Sequence, residues 1–210
     1  MRDYSLYVLT DEAISKGKSH IELARLAVEG GADVIQLRDK YMETRQLYET
    51  ALEISKICRQ HDVIFIVNDR VDVALAAKAE GVHVGQVDIP VAALRKFVPS
   101  DFIIGVSAGT AEEALKAERD GADYVALSPI FDTSSKDDAG HGKGIAELRK
   151  MKRTVSVPVL AIGGINENNI KEVISAGADG VAVISAVVSR EDVSAAAANL
   201  KRLIIEARGI

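Results

Sequence analysis

The residues most suited to chemistry stand in short polar groups, each close behind an apolar run. The first group is QLRDK, which runs from Gln36 to Lys40. Side chains alternate along a strand, so Gln36 and Arg38 share one face and Lys40 follows at its end. An ion pair with Asp39 or with a neighbouring strand would satisfy one cation, but not two cations and an amide. Because an unpaired buried charge is costly, the group indicates a binding site for an anionic ligand.

Two carboxylates follow the next two apolar runs. Asp69 follows Asn68 at the end of one run, and Asp88 follows His83 at the end of the other. Either aspartate alone is readily explained as a helix cap. Mg²⁺, however, is typically held by one or two carboxylates together with the phosphates of a substrate. The two aspartates, beside the cations of QLRDK, therefore predict a site for Mg²⁺ and a diphosphate, with His83 as a core or near-site residue and not a metal ligand.

Hydroxyl groups dominate the polar segments that come next. Ser107 ends a fifth run, where it either holds a polar substrate group or caps the next helix. The loop 132–143 follows a sixth run, and loops of this length in compact domains are usually functional or disordered. It carries three hydroxyl groups and a cation, namely Thr133, Ser134, Ser135 and Lys136. These suit phosphate oxygens, and a solvated flexible loop is the alternative.

Glycine and serine follow the last two apolar runs, at Gly163-Gly164 and Ile184-Ser185. Barrel enzymes often bind phosphate in the loops after strands seven and eight, where backbone amides face the anion. The chain thus carries two kinds of site, one with cations and carboxylates and one with glycine and hydroxyl groups. This division predicts two small phosphorylated substrates, one of which brings a metal-bound diphosphate.

Eight short, nearly continuous apolar runs must position these groups. We predict strands at Tyr4–Leu9, Asp33–Arg38, Val63–Asn68, Gly81–Gln86, Phe102–Ser107, Tyr124–Ile130, Val157–Gly163 and Gly180–Ser185. Such runs are typical of parallel strands that are covered on both faces. The segments between them have helical spacing, as in the stripe Leu47, Ala51, Ile54 and Cys58. The pattern predicts one α/β domain over residues 1–210, a single (β/α)₈ TIM barrel, with an open doubly wound sheet as the alternative.

A Gly-Ala-Asp triplet recurs at Gly31, Gly121 and Gly177, each time between a helical segment and a strand. Glycine at this place can adopt the left-handed conformation that ends a helix. We interpret the triplets as architectural, marking the amino-terminal ends of strands.

Composition excludes several classes of protein. The net charge of -5 and an aromatic content of 4% argue against nucleic acid as a partner. The single cysteine excludes an internal disulfide and a Cys-rich metal site. No apolar run approaches the ~20 residues that span a membrane, and no leader precedes Tyr4. We therefore expect a cytoplasmic protein that binds neither membrane nor nucleic acid.

Taken in order, the motifs resemble those of thiamine-phosphate synthase over nearly the whole chain. They are QLRDK at Gln36, VNDR at Val67, GVHVGQVD at Gly81, IGVSA at Ile104, GADYVALSPIFDTSSKDDAG at Gly121, AIGGI at Ala161 and GADGVAVISA at Gly177. The ordered set is far more specific than any single string. The resemblance implies a (β/α)₈ barrel that couples a hydroxymethylpyrimidine diphosphate to a thiazole phosphate and releases diphosphate.

The resemblance also implies a role for each site residue. The pyrimidine diphosphate would contact Gln36, Arg38, Lys40, Asn68, Ser107 and Lys136. Its Mg²⁺ would be held by Asp69 and Asp88. The thiazole phosphate would contact Thr133, Ser134, Ser135, Gly164, Ile184 and Ser185. The bond between pyrimidine and diphosphate would break first, and the catalytic cations would stabilise the charge of the leaving group: Arg38, Lys40 and Lys136.

Two positions depart from the family pattern, since Asp132 stands where relatives often have Pro and Ser135 replaces a common Thr. We expect weaker loop order or altered affinity and the same reaction. Three rival functions are a paralogue that isomerises the thiazole, a non-catalytic sensor of a phosphorylated ligand, and another phosphate-binding barrel such as a tryptophan-pathway isomerase. The complete diphosphate set, and Pro129 near where the isomerising relatives carry His, favour the coupling enzyme. The sequence leaves the oligomeric state open, a homo-oligomer included.

Overall fold

Eight parallel strands form a closed barrel in the computed structural model, which describes residues 3–133 and 141–209. Each strand pairs with the next in sequence, and the last pairs with the first. The strands are β1 Leu6–Thr10, β2 Val34–Leu37, β3 Ile64–Asn68, β4 Gly81–Val84, β5 Ile103–Ala108, β6 Tyr124–Leu127, β7 Val159–Ile162 and β8 Gly180–Val183. The predicted (β/α)₈ barrel is confirmed, and the open doubly wound sheet is wrong.

Helices connect the strands and cover the outside of the barrel. They are α1 His20–Glu29, α2 Thr44–Gln60, α3 Val71–Ala76, α4 Val91–Leu94, α5 Ala111–Arg119, α6 Gly144–Thr154, α7 Ile170–Ser175, α8 Ser185–Val188 and α9 Val193–Arg208. The last helix packs against α1 and α7, which closes the outer ring.

The predicted apolar stripes of the helices lie against the barrel. In α2 the stripe is fully buried, at Leu47, Ala51, Ile54 and Cys58. Burial of one large aliphatic side chain contributes about 1.5–3 kcal/mol, so such stripes fix the helices to the sheet. Cys58 is part of this core, as its place on the stripe predicts.

Five strands end one to three residues before the ends that their apolar runs predict, at Leu37, Val84, Leu127, Ile162 and Val183. Most of the residues just beyond these points leave the ladder and line cavities at the mouth of the barrel. One of these segments contains a cis peptide bond between Ser128 and Pro129. The last residues of these apolar runs thus line the site and are not part of the strands. The periodicity of the sequence does not reveal this difference.

The Gly-Ala-Asp triplets lie at the opposite, amino-terminal end of the strands. Their glycines have positive φ angles, as helix-ending residues should: Gly31, Gly121 and Gly177. Their aspartates make contacts that the sequence did not predict. The carboxylate of Asp33 accepts the Leu6 N–H at 2.8 Å, and the Asp33 N–H donates to the Leu6 carbonyl.

The same pair of hydrogen bonds occurs three more times around the barrel. It joins Glu80 to Phe65, Asp123 to Ile104 and Asp179 to Val159. We call these four carboxylate–backbone contacts the strand clamps. They tie β1 to β2, β3 to β4, β5 to β6 and β7 to β8 at the end of the barrel away from the site. This repeat is structural, as interpreted from the sequence, and it extends to a glutamate outside the triplets.

Candidate active site

A cavity of about 360 Å³ opens at the carboxyl ends of the strands, on the side formed by β2 to β6. We call it the first cavity. Six predicted site residues line it, namely Arg38, Lys40, Asn68, Asp69, Asp88 and Ser107. The residues that sequence reasoning assigned to a diphosphate and its metal therefore lie in one place.

The two carboxyl groups of this cavity are close enough that each affects the charge of the other. Burial and the negative charge of Asp88 raise the pKa of Asp69 to about 6, against the opposing effect of Lys40 and Arg38. Asp69 also has a φ of 60°, a left-handed conformation that is uncommon outside glycine. An acidic pair that tends to keep a proton is suited to a divalent cation, which replaces the proton and neutralises both charges.

Neither aspartate caps a helix. The N-cap of α3 is Arg70 and that of α4 is Pro90, and neither makes a side-chain capping bond. One oxygen of Asp88 instead accepts the Gly85 N–H at 2.7 Å, which closes a tight turn. The helix-cap alternative is therefore wrong for both carboxylates.

The cations of QLRDK are held by the loops around them. Arg38 lies 3.7 Å from a carboxylate oxygen of Asp11, which follows β1, and not against Asp39. Asp39 accepts two backbone N–H groups of its own loop and lies 3.2 Å from Nε2 of His20, a fully buried side chain at the start of α1. This contact fixes the loop that carries Lys40, and sequence reasoning missed His20 because its partner is 19 residues away.

Gln36 lies deeper than the sequence analysis placed it. Its side chain is almost fully buried and does not line the first cavity. Its Nε2 donates to the hydroxyl of Tyr7 at 2.7 Å. Among the described residues, its Oε1 has no hydrogen-bond partner. A buried acceptor without a donor is costly, so this oxygen is suited to a donor on a ligand.

A chain of hydrogen bonds links Gln36 to Ser107 across the barrel interior. From Gln36 it passes to the Tyr7 hydroxyl, which lies 3.0 Å from that of Tyr124. The Tyr124 hydroxyl lies 2.9 Å from Nδ1 of His83, and Nε2 of His83 lies 2.9 Å from Oγ of Ser107. His83 is thus a near-site residue, as expected, and Ser107 ends the chain at the cavity.

Ser107 does not cap the following helix, because Thr110 does so. Sequence reasoning missed the two tyrosines of the chain, which are 117 residues apart and look like ordinary core aromatics. The one signal was Gly105 in the IGVSA motif, because a Cβ there would overlap the ring and hydroxyl of Tyr124.

A second, smaller cavity of about 20 Å³ lies beside the first and shares Ser128 with it. Four predicted residues of the thiazole phosphate site line it, namely Thr133, Gly164, Ile184 and Ser185. The two groups of residues that differ in chemistry are therefore also separate in space.

The Gly163-Gly164 pair is required by protein packing. Both residues have positive φ, and a Cβ on either would come within 3 Å of atoms in the segment from Pro129 to Asp132. The sequence analysis explained these glycines by close approach of an anion, whereas the structure shows close approach of the loop after β6. The pair still lines the second cavity.

Ser134, Ser135 and Lys136 lie outside the described residues. The flanks of their loop are tied together, since Asp132 accepts the Gly142 N–H at 2.8 Å and the Gly144 N–H donates to the Ile130 carbonyl. Within the described residues, Asp132 thus closes the base of this loop, and the expected effect on affinity stays a prediction.

Comparison with known proteins identifies the family. The model for thiamine monophosphate synthase matches residues 6–187. The chain belongs to this family. A thiamine-phosphate synthase of Methanocella arvoryzae is 58% identical over 205 residues, which are 98% of this chain and 97% of that protein. One from Chloroflexus aurantiacus is 51% identical over 202 residues, 96% of this chain and 93% of that protein.

A solved structure supports the same assignment. Thiamine phosphate pyrophosphorylase from Pyrococcus furiosus superposes with a TM-score of 0.91 at 43% identity, with 98% of each chain covered. As a thiamine-phosphate synthase family member, the chain is an enzyme that catalyses the formation of thiamine phosphate. No helix in the described ranges is long and apolar enough to cross a membrane.

Proposed function

We propose that this enzyme joins 4-amino-2-methyl-5-hydroxymethylpyrimidine diphosphate to 4-methyl-5-(2-phosphoethyl)thiazole, or its carboxylated form, and releases diphosphate. The observation that carries the proposal is the pair of adjoining cavities, one lined by cations and carboxylates and one by glycine and hydroxyl residues. Two phosphorylated substrates can then lie side by side. The shared residue Ser128 marks the boundary at which their reacting atoms would meet.

The first cavity suits the diphosphate and Mg²⁺. Asp69 and Asp88 would hold the metal, and the raised pKa of Asp69 supports this because Lys40 and Arg38 only partly offset the effect of burial and of the second carboxylate. When bound, Mg²⁺ supplies Lewis-acid neutralisation of the diphosphate. Arg38 and Lys40 line the same wall and would contact the remaining phosphate oxygens. The family resemblance adds Lys136 to this group.

The pyrimidine ring would lie on the inner side of the diphosphate. The Oε1 of Gln36 is buried behind the first cavity, and it would accept from the amino group of the pyrimidine where the ring enters below that cavity. Asn68 and Ser107 offer further polar contacts where they line the cavity. The ring would thereby be oriented with its reactive carbon toward the second cavity.

The thiazole phosphate would bind at the second cavity and extend into a wider cavity of about 630 Å³ beside it, which shares Gly164 and Ser185 with the second. Gly164 and Ser185 lie after β7 and β8, where barrels commonly bind phosphate with backbone amides. Thr133 would donate from its hydroxyl, and Ile184 would pack against the thiazole. Ser134 and Ser135 would complete the phosphate contacts.

The catalytic contribution of the chain would be mainly electrostatic. As the bond between pyrimidine and diphosphate breaks, negative charge grows on the leaving oxygen and positive charge on the pyrimidine. Arg38, Lys40 and Lys136 would interact more strongly with the departing diphosphate than with the intact substrate, which lowers the barrier. The held thiazole nitrogen would then form the new carbon–nitrogen bond. We also propose a cytoplasmic location, with no nucleic-acid partner.

The test is a coupling assay with both substrates, each thiazole form being supplied in a separate reaction. We expect thiamine phosphate and diphosphate in equal amounts, dependent on Mg²⁺ and on both substrates. The variant Lys40→Met adds a test of the cation, because it keeps the length of the side chain but removes its charge, and it should slow turnover. If neither thiazole form gave product, the proposed substrates would be wrong. An unchanged rate after chelation of the metal would show that Mg²⁺ has no role.

A further inference from the structure

With the Gln36 amide oriented as in this structure, the hydrogen-bond chain from Gln36 to Ser107 has a direction that starts at the Gln36 nitrogen. An amide nitrogen only donates, so the Tyr7 oxygen accepts from Gln36 and its own hydrogen is left for Tyr124. Tyr124 then donates to Nδ1 of His83, and the neutral ring donates from Nε2 to Ser107. Ser107 Oγ has thus accepted a hydrogen bond, and its own hydrogen is available to the first cavity.

We propose that this chain holds His83 in the Nε2–H tautomer and thereby makes the Ser107 hydroxyl a hydrogen-bond donor to the substrate. Tyr7, Tyr124 and His83 are positioning residues that act through Ser107. The inference rests on the proposed function in one respect, namely that the acceptor belongs to the pyrimidine diphosphate. The order of hydrogens in the chain is a property of the protein without substrate.

The surroundings keep both phenols neutral and in place. Burial raises the pKa of Tyr7 and of Tyr124 well above the ordinary value, so both hydroxyls keep the hydrogen with which they donate a hydrogen bond. The ring of Tyr124 stacks on His83, with centroids 5.6 Å apart, and meets Tyr7 edge-on. Gly105 leaves the space through which Tyr124 reaches His83.

The opposite order of hydrogens has a different signature at His83. If the Gln36 amide were turned round, Tyr7 would donate to its oxygen, Tyr124 to Tyr7, and Nδ1–H of His83 to Tyr124. Ser107 would then donate to Nε2 and could offer the substrate only a lone pair. The two orders differ in the tautomer of one histidine, which can be measured without any activity assay.

The first test is the nitrogen-15 spectrum of the histidine rings in the whole substrate-free protein, at a pH where the rings are neutral. The sequence has four histidines, and His83→Gln assigns the signal. We expect the proton on Nε2, with the Nδ1 resonance shifted by Tyr124→Phe and unmoved by Tyr4→Phe. Tyr4 is the control because its ring also lies against Tyr124, at 5.1 Å. A proton on Nδ1, or an Nδ1 resonance that ignores Tyr124→Phe, would overturn the proposal.

The second test asks whether Tyr124 acts through Ser107. In the wild-type background, Tyr124→Phe should lower kcat about tenfold with KM within about twofold, the effect of one well-placed hydrogen bond. In a Ser107→Ala background the same change should lower kcat by less than about twofold, because the group it acts through is gone. Equal losses in the two backgrounds would mean that Tyr124 only supports the fold, and would overturn the proposal. If the enzyme turns over the pyrimidine diphosphate with neither thiazole form, the proposed function fails. The tautomer test still decides the proposal about the hydrogen-bond chain.

Discussion

At the scale of single residues, the surroundings of the two carboxyl groups in the first cavity differ from those of an aspartate with a structural role. A structural aspartate is normally held by backbone N–H groups or by a cation, as Asp33 is by Leu6 and Lys201. Asp69 faces another carboxylate instead, and its pKa is raised to about 6 by burial and by Asp88. Such an arrangement destabilises the ionised pair unless a cation joins it.

The substitution Asp88→Asn tests this pair. It removes one negative charge but keeps an oxygen that can accept the Gly85 N–H, so the turn is preserved. The Mg²⁺ concentration for half-maximal rate should rise at least about tenfold, since half of the carboxylate ligands are lost. The matched control is Asp72→Asn, an exposed carboxylate paired with Arg70. A metal titration that matches the wild type would remove Asp88 from the metal site.

At the scale of elements, the strands could be predicted and their ends could not. A run such as Val159–Ile162 is apolar because both of its faces are covered, and this property is visible in the sequence. Where β6 stops is decided by the segment after Leu127, in which Ser128 and Pro129 line the cavities at the barrel mouth. That path depends on the loop packing against Gly163 and Gly164, which are far away in the sequence.

The hydrogen-bond chain also lay beyond prediction at this scale. Strand alternation assigned Gln36 to the interior correctly, but it could not assign a partner. That partner, Tyr7, comes from β1, and the next residue of the chain, Tyr124, comes from β6. The contact exists only because the barrel is closed and because Gly105 leaves room between them.

The strand clamps give a prediction for the other end of the same elements. Glu80→Ala and Asp123→Ala each leave a strand N–H without its acceptor, at Phe65 and Ile104. Each should lower the free energy of unfolding by about 1–3 kcal/mol and leave kcat unchanged at temperatures where the protein stays folded. Chemical denaturation and the coupling assay provide the two measurements.

The control for the clamps is Asp120→Ala, which removes a carboxylate bonded to Lys116 on the surface of a helix. It should change stability by no more than about 0.5 kcal/mol. If the clamp variants lost no more stability than Asp120→Ala, the strand clamps would contribute little to the free energy of unfolding. A fall in kcat without a loss of stability would instead link the amino-terminal end of the barrel to the site.

At the scale of the whole molecule, the two ends of the barrel have separate tasks. The clamps tie strands in pairs at the amino-terminal end, whereas the predicted site residues that the structure describes, except the buried Gln36, line two cavities at the carboxyl end. The net charge of -5 gives no hint of this division. Arg38 and Lys40 supply positive charge locally, beside carboxylates that would be neutralised when the metal binds.

The most direct measurement of the central claim, that each cavity takes its own substrate, is a comparison of KM values in two near-isosteric variants. Lys40→Met changes the first cavity and Thr133→Val the second. We predict that Lys40→Met, besides slowing turnover, raises KM for the pyrimidine diphosphate at least about tenfold, because Lys40 also contacts the diphosphate of the intact substrate. It leaves KM for the thiazole phosphate within about twofold, and Thr133→Val has the reverse effect on the two KM values. Equal shifts of both KM values in either variant would contradict a site divided between two cavities.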